Sequence, residues 1–164
     1  MEAEEKNLTM AEQAAENARN YFKQGLNCTE CVMASFMDVH GSNGLPRDIL
    51  CLATGFGGGM GHTKNTCGAI TGAVMAMSLA LGRKNPMEKE TMADRITELN
   101  GIYAEVAPLV EELEQEYGTL ICRELSNPHG DFECKARKKS CMQMIGHCAE
   151  LAVKHTLDRE AKRA

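Results

Sequence analysis

The chain has 164 residues and a formal net charge of −5 at pH 7, with 18 Lys and Arg residues against 23 Asp and Glu residues. This length is sufficient for one hydrophobic core and short for two, so we predict a single domain. Acidic and basic residues are mixed along the chain, without the basic patch of proteins that bind a phosphate backbone. Nucleic acid is therefore not expected as a partner.

The N-terminal sequence and the length of the longest apolar stretch predict the cellular compartment. The N-terminal sequence MEAEEKNLTM has neither the basic start nor the apolar core of a signal peptide. The longest apolar stretch, from Cys67 to Leu81, is shorter than the roughly 20 residues of a membrane-spanning helix. We therefore expect a cytoplasmic protein without membrane insertion. Its eight cysteines are then expected to be ligands, redox thiols or small core residues rather than structural disulfides.

Helical signals follow one another from the N-terminus with almost no strand pattern between them. A first helix is predicted from about residue 9 to residue 23, where strong helix formers precede Gly25. A second helix is predicted from an Asn27 cap to about His40, and a short third helix from Pro46. The predicted fold is all-α, a compact single-domain bundle of five to six helices.

The next predicted helix is the apolar run that ends before Gly82, with Thr66 as its N-cap and Cys67 in its first helical position. A thiol at a helix start is expected to have a lowered pKa, because the first N–H groups and the helix dipole favour negative charge. Small residues recur every four positions on one face of this helix and suit a central helix or a homodimer contact. They are Gly68, Gly72, Ala76 and Ala80.

The second half of the chain continues the helical pattern. A long amphipathic segment is predicted after Pro86 as far as Tyr117, kinked or divided at Pro108. Its predicted inward stripe consists of Met92, Ile96, Leu99, Tyr103, Val106, Val110 and Leu113. A short turn or helix then holds Cys122, and a last helix runs from near Cys134 to about Leu157. We expect residues 1–8 to be disordered, residues 9–157 to form the domain and residues 158–164 to be a frayed tail.

Four dispersed cysteines meet the ligand requirement of an iron–sulfur cluster. Cys28, Cys67 and Cys122 lie at predicted helix starts and Cys141 lies on the inner face of the last helix, so a bundle can bring them to one point. Cys28 and Cys31 also form a CxxC pair, but the chain lacks the second pair of a zinc ribbon and the βαβ context of a thioredoxin site.

The glycine-dense loop before Cys67 is the second candidate element. It lacks the nucleotide-binding patterns GxGxxG and Lys-Ser/Thr. Its backbone N–H groups are therefore candidates to face sulfur or an anion, although the composition suits a flexible connector equally well. The candidate cofactor-binding positions are Gly57, Gly58, Gly59 and Gly68.

The segment Cys67-Gly68-Ala69-Ile70-Thr71-Gly72 matches a CGAxxG motif. Together with Asn27-Cys28, the segment GTLICREL at residues 118–125 and Cys141, it makes residues 20–150 resemble the C_GCAxxG_C_C family. The resemblance implies redox activity and carries the family's four cysteines onto Cys28, Cys67, Cys122 and Cys141. A similar domain in the split-Soret class of multihaem cytochromes is associated with an iron–sulfur centre, but the haem attachment motif CxxCH is missing here.

Three functional hypotheses remain open from the sequence. The first is an electron-transfer protein that binds an iron–sulfur cluster, with [2Fe–2S] as the favoured form, through the four matched cysteines and serves a redox partner protein. The second is a dithiol–disulfide oxidoreductase in which Cys67 is the nucleophile and Cys28 or Cys141 is the resolving thiol. The third is a structural zinc-binding module.

Overall fold

A computed structural model describes residues 2–164, with side chains from residue 10 onward. The all-α prediction is confirmed, and the described part of the chain contains no strand. It contains seven α-helices rather than five to six, because two helices of four and five residues stand between the longer ones. The helices are α1 (Glu2–Lys23), α2 (Cys28–His40), α3 (Cys51–Thr54), α4 (Gly68–Leu81), α5 (Met92–Tyr117), α6 (Cys122–Ser126) and α7 (Lys135–Arg163). Helix α1 begins at Glu2 rather than at about residue 9. Side chains are described only from residue 10 onward, and the predicted disorder of residues 1–8 stays a prediction.

Helix α4 lies at the centre of the core and packs against α2 and α7. Its contact with α2 is close, since a Cβ added at Gly72 would lie 3.0 Å from the Cβ of Val32 and 3.2 Å from the Cα of Thr29. Ala76 is fully buried. The small-residue face of α4 is therefore used within one chain, and the homodimer predicted from this face loses its contact surface.

The start of α4 differs from the prediction. Cys67 itself is the N-cap residue and Gly68 is the first helical residue, whereas Thr66 forms an isolated antiparallel bridge with Ile121. The backbone N–H of Cys67 donates to the carbonyl oxygen of Leu120 at 2.8 Å. Thr66 does not cap the helix because its backbone is paired with a segment more than fifty residues away.

The outer helix α5 is continuous through Pro108, so the predicted division is wrong, whereas the predicted kink stays a prediction. The predicted inward stripe is only partly right. Leu113 is fully buried, but Met92 is 71% exposed and Tyr103 is 60% exposed. The two buried residues of this helix, Leu109 and Leu113, both lie in its second half, and its first half therefore has a largely solvent-facing apolar stripe.

Helix α7 begins after its N-cap residue Cys134, as predicted, and ends at Arg163 rather than near Leu157. The extension is held by side-chain contacts, because Nε of Arg163 donates to Glu105 at 3.0 Å and Nη2 donates to the carbonyl oxygen of Leu81 at 3.3 Å. In the part of the chain that the structure describes, no helix combines the length and the apolar character needed to cross a membrane.

Candidate functional site

One cavity of about 180 Å³ brings together the four cysteines that the sequence singles out. Cys28, Cys67 and Cys122 lie at the starts of α2, α4 and α6, and Cys141 lies in the second turn of α7. The cavity therefore brings together thiols at four separate helices. The first and last of them, Cys28 and Cys141, are more than one hundred residues apart in the chain.

The start of α2 is fixed by a capping box. The side-chain oxygen of Asn27 accepts from the N–H of Glu30 at 2.9 Å, and the Glu30 carboxylate accepts from the N–H of Asn27 at 3.0 Å. The side-chain NH2 group of Asn27 also donates to the carbonyl oxygen of Thr54 at 3.0 Å. These bonds hold Cys28 in the first helical position and tie it to the end of α3.

A pairing between two loop segments fixes the positions of two other cysteines. The N–H of Cys122 donates to the carbonyl oxygen of Asn65 at 2.6 Å, and the N–H of Cys67 donates to Leu120 at 2.8 Å. The bridge between Thr66 and Ile121 lies between these bonds. The starts of α4 and α6 are therefore joined through the backbone, and the two thiols keep a fixed relation to each other.

The glycine loop forms a left-handed turn. Residues 58–62 all have φ between 62° and 73°, a conformation that costs about 1–2 kcal/mol for a residue with a side chain such as Met60 or His62. The N–H groups of residues 60–62 bond to the carbonyl oxygens of residues 55–57 at 2.7–3.1 Å. The loop is thus a defined turn in which the N–H groups of residues 60–62 are bonded within the loop, and the predicted role of the N–H groups of Gly57, Gly58 and Gly59 stays a prediction.

The four candidate glycines separate into two groups. Gly58 and Gly68 line the cavity, whereas Gly57 and Gly59 do not. Gly59 allows close packing of the site, because an added Cβ would lie 2.8 Å from the Cβ of Cys122. At Gly68 an added Cβ would overlap the sulfur of Cys28. Both positions therefore allow a backbone to lie directly against a cysteine of the site.

Burial governs the protonation of the thiols. It raises the pKa of Cys67 from 9.0 to about 12, with a smaller raising effect of Cys28, and the N–H groups of Ile70 and Ala69 oppose it only weakly. The expectation of a lowered pKa at Cys67 is therefore wrong, because desolvation outweighs the helix start. Burial also raises the pKa of Cys141, against the opposing positive charge of Arg137.

Residues 26–155 match the model of the family described as "Putative redox-active protein (C_GCAxxG_C_C)". The chain belongs to this family. An uncharacterized protein of Archaeoglobus fulgidus is 25% identical over 149 residues, which cover 89% of this chain and 97% of that protein. No solved structure matches the chain. Redox activity is the functional description that comes with the family.

The other four cysteines of this family member lie outside the cavity. Cys31 and Cys148 are fully buried in the core, and burial raises the pKa of Cys31 to about 12. Cys51 is exposed, and Cys134 donates its thiol hydrogen to the carbonyl oxygen of His129 at 3.1 Å as it caps α7. All eight cysteines are free thiols.

The cavity that the four cysteines line is larger than a single water molecule requires. Among the described residues, no three His, Cys, Asp or Glu side chains are placed to hold a single metal ion. The cavity volume of about 180 Å³ is more than ten times the roughly 10–15 Å³ that one water molecule requires on the same kind of measure. A second cavity of about 220 Å³ shares Cys67, Cys122, Cys141 and Met144 with the first, so these residues form a wall between two spaces.

The remaining wall of the first cavity includes Ile145, which the sequence places on the cysteine face of the last helix, and residues that the sequence does not single out. Phe22, Met144 and Ile145 are apolar, and the sulfur of Met144 lies 4.0 Å from that of Cys67. Arg137 and Phe132 also line the cavity. The available signal for Arg137 is its position four residues before Cys141, which places both side chains on one face of α7.

Proposed function

We propose that the protein is an electron carrier that binds an iron–sulfur cluster through Cys28, Cys67, Cys122 and Cys141. The observation that carries the proposal is the single cavity lined by all four of these residues. Four thiolates are the ligand set of both [2Fe–2S] and [4Fe–4S] clusters, and we propose the smaller form. When bound, such a cluster accepts and releases single electrons, and a redox partner protein would exchange them.

The size of the cavity supports a cluster over the structural zinc alternative. A tetrahedral zinc site needs its ligand atoms about 2.0–2.3 Å from one ion, which draws the side chains into one tight group. Thiols that surround a larger space suit a cofactor that has several atoms of its own.

The protonation of Cys67 works against the dithiol–disulfide alternative. With a pKa of about 12, only about one molecule in 10⁵ has a thiolate at this position at pH 7. The thiolate is the nucleophile in disulfide exchange, so Cys67 is a poor attacking group in the absence of a bound metal ion. A bound metal deprotonates its thiol ligands, and the same burial then keeps water away from the bound group.

The protein's own residues would hold the cluster and shield it. The backbone pairing of residues 64–67 with residues 120–123 fixes two of the sulfur positions, and the capping box of α2 fixes a third. Phe22, Met144 and Ile145 cover the cavity with apolar surface. Such a dry environment and a fixed ligand set are features by which proteins tune a cluster.

Iron and acid-labile sulfide in anaerobically purified variants test the ligand assignment. We expect Cys67→Ser and Cys141→Ser to lose nearly all bound iron and sulfide, because each removes one of four ligands. Cys134→Ser is the matched control, since it changes a cysteine on the same helix that lies outside the cavity, and it should retain the wild-type content. Equal iron content in all three variants would contradict the proposal.

A further inference from the structure

Arg137 is a buried cation in the wall of the cavity. Its side chain lines the cavity together with the four cysteines, and the residue is only 9% exposed. The guanidinium carbon lies 3.2 Å from the centre of the Phe132 ring, and Nη1 donates to the carbonyl oxygen of Phe132 at 2.9 Å. The Nε atom is buried and has no hydrogen-bond partner among the described residues.

No described carboxylate lies within salt-bridge distance of this charge, and Glu133 interacts with it only at longer range. Glu133, four residues away, pairs with Lys138 at 2.9 Å instead. Among the side chains from residue 10 onward, none forms a salt bridge with Arg137. A buried charge without a partner is strongly unfavourable, and stacking on one aromatic ring offsets only part of this cost. The arrangement therefore favours an anionic group beside Arg137.

The position of Arg137 indicates where that anionic group lies. Arg137 precedes Cys141 by four residues on α7, so both side chains face the cavity from the same side. The negative charge that Arg137 lacks would thus be supplied from inside the cavity.

We propose that Arg137 is the counter-charge of the four-cysteine site and raises the reduction potential of the cluster bound there. The inference rests on the proposed function and adds a tuning residue to it. A cluster held by four thiolates would be an anion, and one electron taken from the redox partner protein would add one further negative charge. A fixed cation nearby stabilises the reduced form more than the oxidised form.

The reduction potential tests the role of the charge. Anaerobic optical titration with dithionite and redox mediators would compare the wild type with Arg137→Gln, Arg137→Lys and Lys139→Gln. We expect a more negative potential in Arg137→Gln and a potential near the wild-type value in Arg137→Lys, which keeps the charge. Lys139 is exposed on the same helix, so Lys139→Gln removes the same charge from a position outside the cavity and should leave the potential nearly unchanged.

Three results would overturn the inference. The first is a wild-type reduction potential in loaded Arg137→Gln. The second is an equal shift of the potential in Arg137→Lys and Arg137→Gln, since the positive charge would then not be the cause of the shift. If Arg137→Gln does not load, the neutral variant Arg137→Met takes its place, and a wild-type potential in that variant would overturn the inference. A wild-type protein without iron and sulfide would overturn the proposed function and this inference together, whereas a loaded protein with unchanged potentials would overturn only the role of Arg137.

Thermal unfolding separates tuning from a merely structural role. Loading should raise the unfolding temperature less in Arg137→Gln than in the wild type, because the variant lacks the charge that the bound anion neutralises. The iron-free variant should be at least as stable as the iron-free wild type. An equal loss of stability in the iron-free and loaded forms would show that Arg137 only supports the fold, and would overturn the inference.

Discussion

Cys67 in the iron-free protein is expected to be an unreactive thiol, although it lies at a helix start. Burial raises its pKa from 9.0 to about 12, and alkylation consumes only the thiolate. At pH 8 a thiol with a pKa of 9.0 is about 10% ionised, and one with a pKa of about 12 is about 0.01% ionised. The structure therefore predicts alkylation about a thousand times slower than at an unperturbed thiol.

Timed alkylation with iodoacetamide, followed by peptide mass spectrometry, measures this rate. The matched reference is Cys67 itself in the urea-unfolded chain, where burial is lost. The exposed Cys51 reports in the same sample that the reagent is active on the folded protein. The rate at native Cys67 should rise about tenfold per pH unit between pH 7 and pH 10, because the ionised fraction rises in that proportion below the pKa.

A folded-state rate at pH 8 within about tenfold of the unfolded-state rate would refute this reasoning. The helix start would then dominate the pKa of Cys67, as the sequence alone suggests. In that case Cys67 would be available as an attacking thiol at neutral pH, and the dithiol–disulfide hypothesis would regain its main physical support.

Two further predictions concern stability in urea unfolding. Gly68→Ala should lower the free energy of unfolding by about 1–3 kcal/mol, because the added Cβ overlaps the sulfur of Cys28. Its control is Gly101→Ala, in open space on α5, which should raise the free energy of unfolding by about 0.4–1 kcal/mol. Equal effects of the two substitutions would contradict the packing described around Gly68. The iron-free protein should lose stability as the pH rises from about 9 to about 12, since the raised pKa values of Cys31 and Cys67 keep protons on the folded state that the unfolded chain releases. A urea midpoint that stays constant between about pH 9 and about pH 12 would contradict this predicted loss of stability.

Local signals in the sequence are sufficient to locate the start of α2. The predicted cap at Asn27 and the contribution of Glu30 are confirmed as a capping box, because both partners lie within four residues. The predicted N-cap of α4, Thr66, is wrong, because Thr66 pairs with Ile121 and Cys67 is the N-cap residue instead. This pairing depends on the tertiary fold. Helix termini set by neighbouring residues were therefore predictable, and those set by distant segments were not.

The cysteines of the site could be anticipated, but their environment could not. Helix starts and helical spacing single out Cys28, Cys67, Cys122 and Cys141, and the structure brings them to one cavity. The pKa of Cys67 was predicted in the wrong direction because the depth of burial is not visible in a local motif. Arg137 was missed for the same reason, since its stacking on Phe132 depends on the loop between α6 and α7.

The exposed half of α5 shows a similar limit. Its apolar residues follow a helical period, which predicts an inward stripe, yet Met92 and Ile96 are largely exposed. A periodic pattern identifies one face of a helix, but the neighbouring helices decide how much of that face is covered. Here only the half that contains Leu109 and Leu113 is buried.

The central claim is that four cysteines hold an iron–sulfur cluster, and the composition of the wild-type protein purified without oxygen tests it most directly. We predict a coloured protein with broad visible absorption, stoichiometric iron and acid-labile sulfide, and reversible bleaching by dithionite. A colourless protein that contains neither iron nor sulfide after anaerobic purification and reconstitution, and in which two thiols titrate per disulfide reduced, would contradict the claim.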